Sequence, residues 1–341
     1  MEEQARALTA KLTGYVYPFS MNSNNWIFFD FMKDFQGDPL RDWMRNHIEV
    51  PVIVVAFYMA MTLYVPQHVM ASRPPFPLRR ANQIWNLSLS IFSIFGAIYC
   101  VPAMVMVAFS PNYVTQSVED PNVLEVRHGG IFNVMCDWNP RQFYDGPVGF
   151  FVALFILSKI PEMIDTLFLV FQKKPVLFLH WYHHITVMLY CWHAYTRKIA
   201  GGIIFAAMNY FVHSIMYFYY FICSCGGRRY VRPIAPLITF LQIAQMVVGG
   251  FYEFSAFYYV FGKRYTAADR LQGCKTDPTN ARLGFFMYLT YFYLFVMLFK
   301  ESYVDKKGTQ RRQMVLSHSV PEPGADAATT AEKDAKTKKS N

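Results

Sequence analysis

Charged residues are scarce in this chain. Asp, Glu, Lys and Arg make up 16% of its 341 residues, against about 25% in a typical soluble domain. So little solvated surface argues against a soluble globular protein. Cysteine is sparse too: the six are scattered and form no CxxC pair, which excludes a disulfide scaffold and a thiolate zinc site. The opening MEEQARALTA has neither the basic start nor the apolar core of a secretory signal, so the first apolar block is expected to direct insertion itself. Period-two alternation, the mark of a transmembrane β-barrel, is absent.

What is abundant is apolar: 54% of residues are hydrophobic and 18% aromatic. They gather in blocks near the roughly 17 to 25 residues that cross a bilayer, at about 49–68, 85–109, 148–171, 176–195, 200–223, 233–261 and 283–304. Lipid offers no partners to open backbone groups, so such blocks must be helical. The expected fold is an all-α polytopic membrane protein with seven spans. Only QKKP separates the third and fourth, which predicts a tight helical hairpin. The expected organisation is a luminal segment (1–48), a seven-helix domain (49–304) and a disordered cytosolic tail (305–341).

Net charge is +9, but on that topology thirteen basic residues face twelve across the membrane, so the positive-inside count leaves orientation open. The terminal KKSN, with Lys338 and Lys339, matches a dilysine retrieval signal of the endoplasmic reticulum, which is read on the cytosolic side. A lysine-rich disordered tail is the alternative. With the C-terminus cytosolic, seven spans put the N-terminus in the lumen. Cys136 and Cys274 then share luminal loops, where a disulfide is permitted, and that pairing is predicted. Asn86, in the sequon NLS, falls at the cytosolic edge of a span and is expected to be unmodified.

Ionisable groups inside a bilayer are costly and mark a pathway or site. Span three carries Lys159, Glu162, Asp165 and Thr166 on about a third of its circumference. Span four places His180, His183 and His184 on one face. Span five aligns Asn209, His213, Met216, Tyr217 and Tyr220, and span six adds Gln242 and Gln245. The stripes are expected to face one another around a polar cavity. Each also has a plain structural alternative. Gln245 serves as well as interhelical glue, Lys159 with Glu162 as a self-neutralising ion pair, and His193 as an interfacial side chain.

Three chemistries could use the histidines. A metal centre is the first. No HxxxH box precedes HWYHH and no second HxxHH follows, which leaves a di-iron site short of ligands, although a zinc on His180, His184 and His213 stays open. Nucleophilic catalysis is the second: neutral imidazole attacks thioesters and forms covalent intermediates, and neighbouring His and carboxylate groups can orient it and move protons. A proton relay in a receptor or transporter is the third, without the broken-helix inverted repeats that usually accompany one. Pro161 predicts a kink in span three.

KIPEMIDT (159–166), HWYHH (180–184), MNYFVHSIMYFYY (208–220) and TFLQIAQM (239–246) resemble, in order and spacing, the signature blocks of the very-long-chain fatty acid elongases, the ELO family. The resemblance runs from about residue 78 to Tyr303. It implies an endoplasmic-reticulum acyltransferase that condenses acyl-CoA with malonyl-CoA to 3-ketoacyl-CoA, CO2 and CoA. Spans two to seven would form a six-helix barrel around an acyl tunnel, with span one outside. His183 would become the acyl-imidazole, with His213 opposite. His180, His184, Asp165, Glu162 and Asn209 would surround them. Gln242 and Tyr217 would contact substrate, and Lys159, Lys173, Lys174 and Lys300 would meet CoA phosphates at the cytosolic mouth. Gln172 stands where family members often carry Arg. HWYHH and YCW (190–192) resemble the branch acting on saturated and monounsaturated chains. Side chains of spans six and seven would set chain length at the luminal end. No metal or other cofactor is implied. Expected partners are the two CoA substrates, membrane lipid, and the reductases and dehydratase of the cycle. A second copy of the chain is a further candidate, and nucleic acid is not expected.

Overall fold

The computed structural model describes residues 16–17, 30–117, 119–120, 123–137, 139, 144–262 and 276–304. Each expected apolar block holds a helix. After a short helix α1 (Asp38–Asn46) come α2 (Glu49–Val69) and α3 (Arg79–Phe109). Next is a helix α4 (Ile131–Cys136), then the third block as two pieces, α5 (Gly146–Ser158) and α6 (Ile164–Phe171). The rest are α7 (Phe178–Thr196), α8 (Gly202–Ile222), α9 (Ala235–Phe257) and α10 (Pro278–Phe299). The chain divides into two units, residues 1–295 and 296–341. The described part of the second, 296–304, is helical.

Among the described residues, five stretches are long and apolar enough to cross a membrane: Glu49–Val69, Arg79–Phe109, Gly146–Phe171, Gly202–Phe261 and Pro278–Val304. The fourth joins α8 to α9 through Gly226, whose φ of 97° suits only glycine well. α7 is not among the five, because its four histidines dilute a 19-residue apolar helix. The protein is an all-α polytopic membrane protein. One small sheet outside the helices went unforeseen: β1 (Val16–Tyr17) runs parallel to β2 (Asn112–Gln116), which pairs antiparallel with β3 (Leu124–His128).

Helix α3 shows the membrane pattern. Ile84, Ile91, Ile98 and Val105 lie seven apart and face outward, whereas Ser90, Ser93, Gly96, Cys100 and Ala103 are buried. Small inward residues let backbones approach closely. A Cβ at Gly96 would sit 2.3 Å from the Tyr210 ring, and Ser90 Oγ donates to the Ser214 carbonyl at 3.0 Å. α8 meets α9 where Gln242 Nε2 donates to Met216 Sδ at 3.3 Å. α9 meets α10 where Gly249 lies under Tyr288. α10 meets α7 through Tyr182 and Thr290, 3.0 Å apart, α7 packs on α5, and Trp85 ties α3 to α6. Six rods therefore close a ring. α2 lies outside it, seated on α6 and α7 through Tyr58, Met163 and Met188.

Span three breaks where Pro161 was expected to kink it. α5 stops at Ser158, and a 3-10 turn at Pro161–Met163 precedes α6, because proline offers no N–H to continue the ladder. The two ends of the ring differ in charge. At one end the chain around 71–78 meets α6 (Phe76 N–H to Phe171 O, 2.9 Å) and the 172–175 turn (Lys173 Nζ to Ala71 O, 3.2 Å). There Arg79 Nε also donates to Ser224 O at 3.0 Å. This end carries Arg73, Arg79, Arg80, Lys173, Lys174 and the three arginines of 228–232. Residues 66–80, 172–177 and 223–234 contain no Asp or Glu. At the other end Arg41 and Lys198 pair with Asp38, and Arg127 with Glu125.

Candidate active site

Inside the ring lies a cavity of about 40 Å³ bordered by α5, α7, α8, α9 and α10, room for a few water molecules. Its polar lining includes His183, Asn209, Gln245, Tyr190 and Tyr291. His183 reaches it because HWYHH turns one face of α7 inward at helical spacing. Among the described residues, no protein group hydrogen-bonds the His183 ring. The ring is held by contact alone, 5.1 Å from that of Tyr291 and 5.6 Å from that of His184 (centroid distances). Tyr291 donates its hydroxyl to the His183 carbonyl at 3.3 Å and meets Thr186 in a short hydrogen bond.

His180 and His213 are hydrogen-bonded, whereas His184 is held by ring contacts. His180 Nε2 lies 3.0 Å from Thr166 Oγ1, and the His180 and His184 rings meet edge-on at 4.7 Å. His213 Nε2 lies 3.0 Å from Asn209 Nδ2. The state of His213 follows from a lysine. Lys159 Nζ, which can only donate, gives hydrogen bonds to Glu162 Oε1 and Oε2 (2.7 and 2.9 Å) and to Asn209 Oδ1 (3.1 Å). With its oxygen turned to Lys159, Asn209 presents its NH2 to His213, so Nε2 of His213 accepts and the imidazole proton sits on Nδ1. Lys159 and Glu162 are both buried, and Ser158 Oγ donates to Glu162 at 2.7 Å.

Asp165 is capped by two donors from neighbouring rods, Trp85 Nε1 at 2.6 Å and Tyr217 Oη at 2.7 Å. The Tyr217 ring also stacks edge-on with His213 at 5.3 Å. Thr166, one residue on, bridges His180 to the Tyr58 hydroxyl at 2.6 Å. Among the described residues no three His, Cys, Asp or Glu side chains converge to hold a metal ion. His180, His184 and His213 do not form the zinc triad the sequence allowed, and Nε2 of two of them is already bonded.

A family profile described as the GNS1/SUR4 family, ELO, matches residues 43–311. The chain belongs to this family. It is 49% identical over 286 residues to "Fatty acid elongase 3" of Trypanosoma cruzi (strain CL Brener), covering 82% of this chain and 93% of that protein. It is likewise 49% identical over 282 residues to "Fatty acid elongase 3" of Trypanosoma brucei brucei (strain 927/4 GUTat10.1), covering 81% and 91%. To a "Very long chain fatty acid elongase 4" of Trypanosoma cruzi (strain CL Brener) it is 41% identical over 289 residues, covering 85% and 92%.

For this member of the GNS1/SUR4 family, the structure gathers His180, His183, His184, His213, Asn209, Glu162 and Asp165 in one region of the ring. It departs from the sequence reading at several binding residues. Lys159, expected at the mouth for CoA phosphate, is instead consumed by Glu162 and Asn209 and lies over the Phe155 ring at 4.3 Å. A desolvated, fully partnered ammonium has no capacity left for phosphate. Lys173 and Lys174 do lie at the basic end. Lys173 is exposed, and Lys174 is half-buried, which lowers its ammonium pKa from the ordinary lysine value through desolvation. Lys300 is exposed but belongs to the second unit. Gln242 contacts Met216, while Gln245 takes the cavity position. Tyr217 gives its hydroxyl to Asp165. Cys136 is disulfide-bonded, and its expected partner Cys274 lies outside the described residues. Asn86 is buried, with its amide on Asn82.

Among the contributors that sequence reading missed are Trp85, Tyr190, Glu253 and Tyr291. Tyr190 meets the buried Glu253 carboxylate in a short hydrogen bond and lies 3.0 Å from Asn280 Oδ1. Asn280 Nδ2 in turn reaches His193 Nδ1 at 3.1 Å. A lone Glu inside the apolar block 233–261 was the available signal.

Proposed function

We propose that this family member is the condensing enzyme of fatty acid elongation in the endoplasmic reticulum, an acyltransferase working through an acyl-imidazole on His183. The reading rests on one observation: His183 is the box histidine that lines the cavity and has unengaged ring nitrogens. The names of the relatives support fatty acid elongation as the process.

In the proposed reaction a His183 nitrogen attacks the acyl-CoA carbonyl, the C–S bond breaks, and the thiolate leaves with the proton that the imidazole gives up. Malonyl-CoA then loses CO2. Its enolate carbon attacks the acyl carbon, the C–N bond breaks, and the imidazole takes a proton back. The Tyr291 ring supports the nucleophile. His213, with Nε2 committed to Asn209, offers an Nδ1–H of fixed direction for developing negative charge. Glu162 and Lys159 fix that direction from behind. The basic end, free of acidic residues, suits CoA phosphates, with Lys173 and Lys174 as contacts, and is the cytosolic one. Saturated or monounsaturated long acyl chains are the proposed substrates, and the reductases and dehydratase of the cycle the proposed partners. No metal is required.

Intact-mass measurement of the purified protein after acyl-CoA alone tests this. An acyl adduct mapped to His183 and lost in His183→Ala is expected, as is a malonyl-CoA-dependent 3-keto product insensitive to chelators. No adduct, with activity lost to chelators and restored by iron or zinc, would overturn it.

A further inference from the structure

Helix α2 lies outside the ring, yet one of its side chains is wired to the histidine box. The Tyr58 hydroxyl lies 2.6 Å from Thr166 Oγ1 on α6, which lies 3.0 Å from His180 Nε2 on α7. Three helices share one hydrogen-bonded chain. Tyr58 is buried in an apolar cluster with Met163 and Met188, flanked by Ile160, Trp181 and Ile185. Packing alone would be served by phenylalanine there, since a buried hydroxyl costs free energy unless it is bonded.

The chain can run in either of two directions. Thr166 is completely buried, so its hydroxyl hydrogen needs a protein acceptor. The order Tyr58 O–H to Thr166 Oγ1, then Thr166 O–H to His180 Nε2, gives both hydroxyls an acceptor. It leaves the imidazole hydrogen on Nδ1. The reverse order turns the Tyr58 hydrogen to Thr62 Oγ1, a buried hydroxyl one turn along α2, so both orders are satisfied and the bonded chain fixes the His180 ring rather than its tautomer. We infer that Tyr58, acting through Thr166, is a positioning residue that holds the His180 ring in one orientation by its Nε2 contact. His180 meets His184 edge-on, and His184 meets His183 the same way. A ring held at the outer end of this row therefore supports the cavity-facing imidazole at the inner end. The inference rests on the condensing-enzyme reading for what the box does, and it makes the outlying helix a working part of the site.

The test uses full-length protein in proteoliposomes. Tyr58→Phe and Thr166→Val are each expected to lower kcat about tenfold with KM for both CoA substrates within about twofold, because they disturb chemistry rather than binding. Thr166→Ser, which keeps the hydroxyl, recovers most of the Thr166→Val loss. The double variant loses no more than Thr166→Val alone, since both changes cut one chain. Ring nitrogen-15 resonances of His180, assigned by difference from His180→Gln, show one hydrogen-bonded ring state in the wild type and shifted or exchange-broadened resonances in Thr166→Val. Unchanged kcat in both single variants at wild-type melting temperature would overturn the inference. So would losses that Thr166→Ser shares and that follow a lowered melting temperature, or unchanged His180 ring resonances in Thr166→Val. A wild-type protein without malonyl-CoA-dependent condensation refutes the function instead, and the nitrogen spectra still decide whether the His180 ring is held.

Discussion

At Asn209 the orientation of one amide decides the state of a histidine. Lys159 can only donate, so the amide oxygen faces it and the NH2 faces His213. Lys159 in turn is paired in the ring with Glu162, 2.7 Å away. Removing one partner of a buried pair leaves the other uncompensated, at about 3–5 kcal/mol. Glu162→Ala should therefore destabilise the protein by about that much. Lys159→Met with Glu162→Leu should recover most of the stability but not the activity, because Asn209 is then free to turn. Thermal unfolding in detergent beside a condensation assay separates the two effects. If the double variant were as active as wild type, the amide would not be steering His213. Asn209→Ala should lower kcat by about tenfold or more while leaving KM nearly unchanged, as for a group that acts mainly in the transition state.

The turn between α6 and α7 is the element that presents Lys173 and Lys174 at the basic end, and Lys173 adopts a left-handed φ of 54° to do so. If these lysines meet CoA phosphates, changing both to alanine should raise KM for acyl-CoA about tenfold, and the KM of the variant should depend less on ionic strength. Lys174 has its pKa lowered by burial, so it loses its charge at lower pH than an exposed lysine. KM should rise as pH enters that range, and Lys174→Ala should flatten the rise; a pH profile that survives the substitution would remove Lys174 from the contact. This turn was legible in the sequence because QKKP interrupts two apolar runs. The polar stripes were legible for a similar reason, since charges at helical spacing stand out in lipid-length blocks. Lys159 was harder. Its spacing from Glu162 fitted both an ion pair and a phosphate contact, and only burial distinguishes them. Tyr58 was not legible at all, because its partner is 108 residues away and tyrosine abounds in this chain.

On the scale of the whole molecule, the ring turns small and polar groups inward and branched apolar ones outward, and its interior must end somewhere. Beyond Tyr190 the interior is filled by Glu253 and Asn280, both buried, with His193 further along. The cluster ties α7, α9 and α10 together. The fit is tight, since a Cβ at Gly284 would sit 2.3 Å from the Glu253 carboxyl carbon. If the acyl chain extends from His183 toward Tyr190, this cluster is the floor that its methyl end meets. Glu253→Ala removes most of a side chain there and leaves space that alkyl carbons can occupy, so the longest product should grow by about one two-carbon unit, each buried CH2 contributing about 0.8 kcal/mol. Glu253→Gln keeps the volume and should keep the product length, at a cost in stability of about 1–3 kcal/mol from the altered hydrogen bonds. Gas chromatography of products from one starting acyl-CoA distinguishes the two variants. An unchanged length distribution in Glu253→Ala, in protein that still condenses, would place the end of the acyl path elsewhere in the ring.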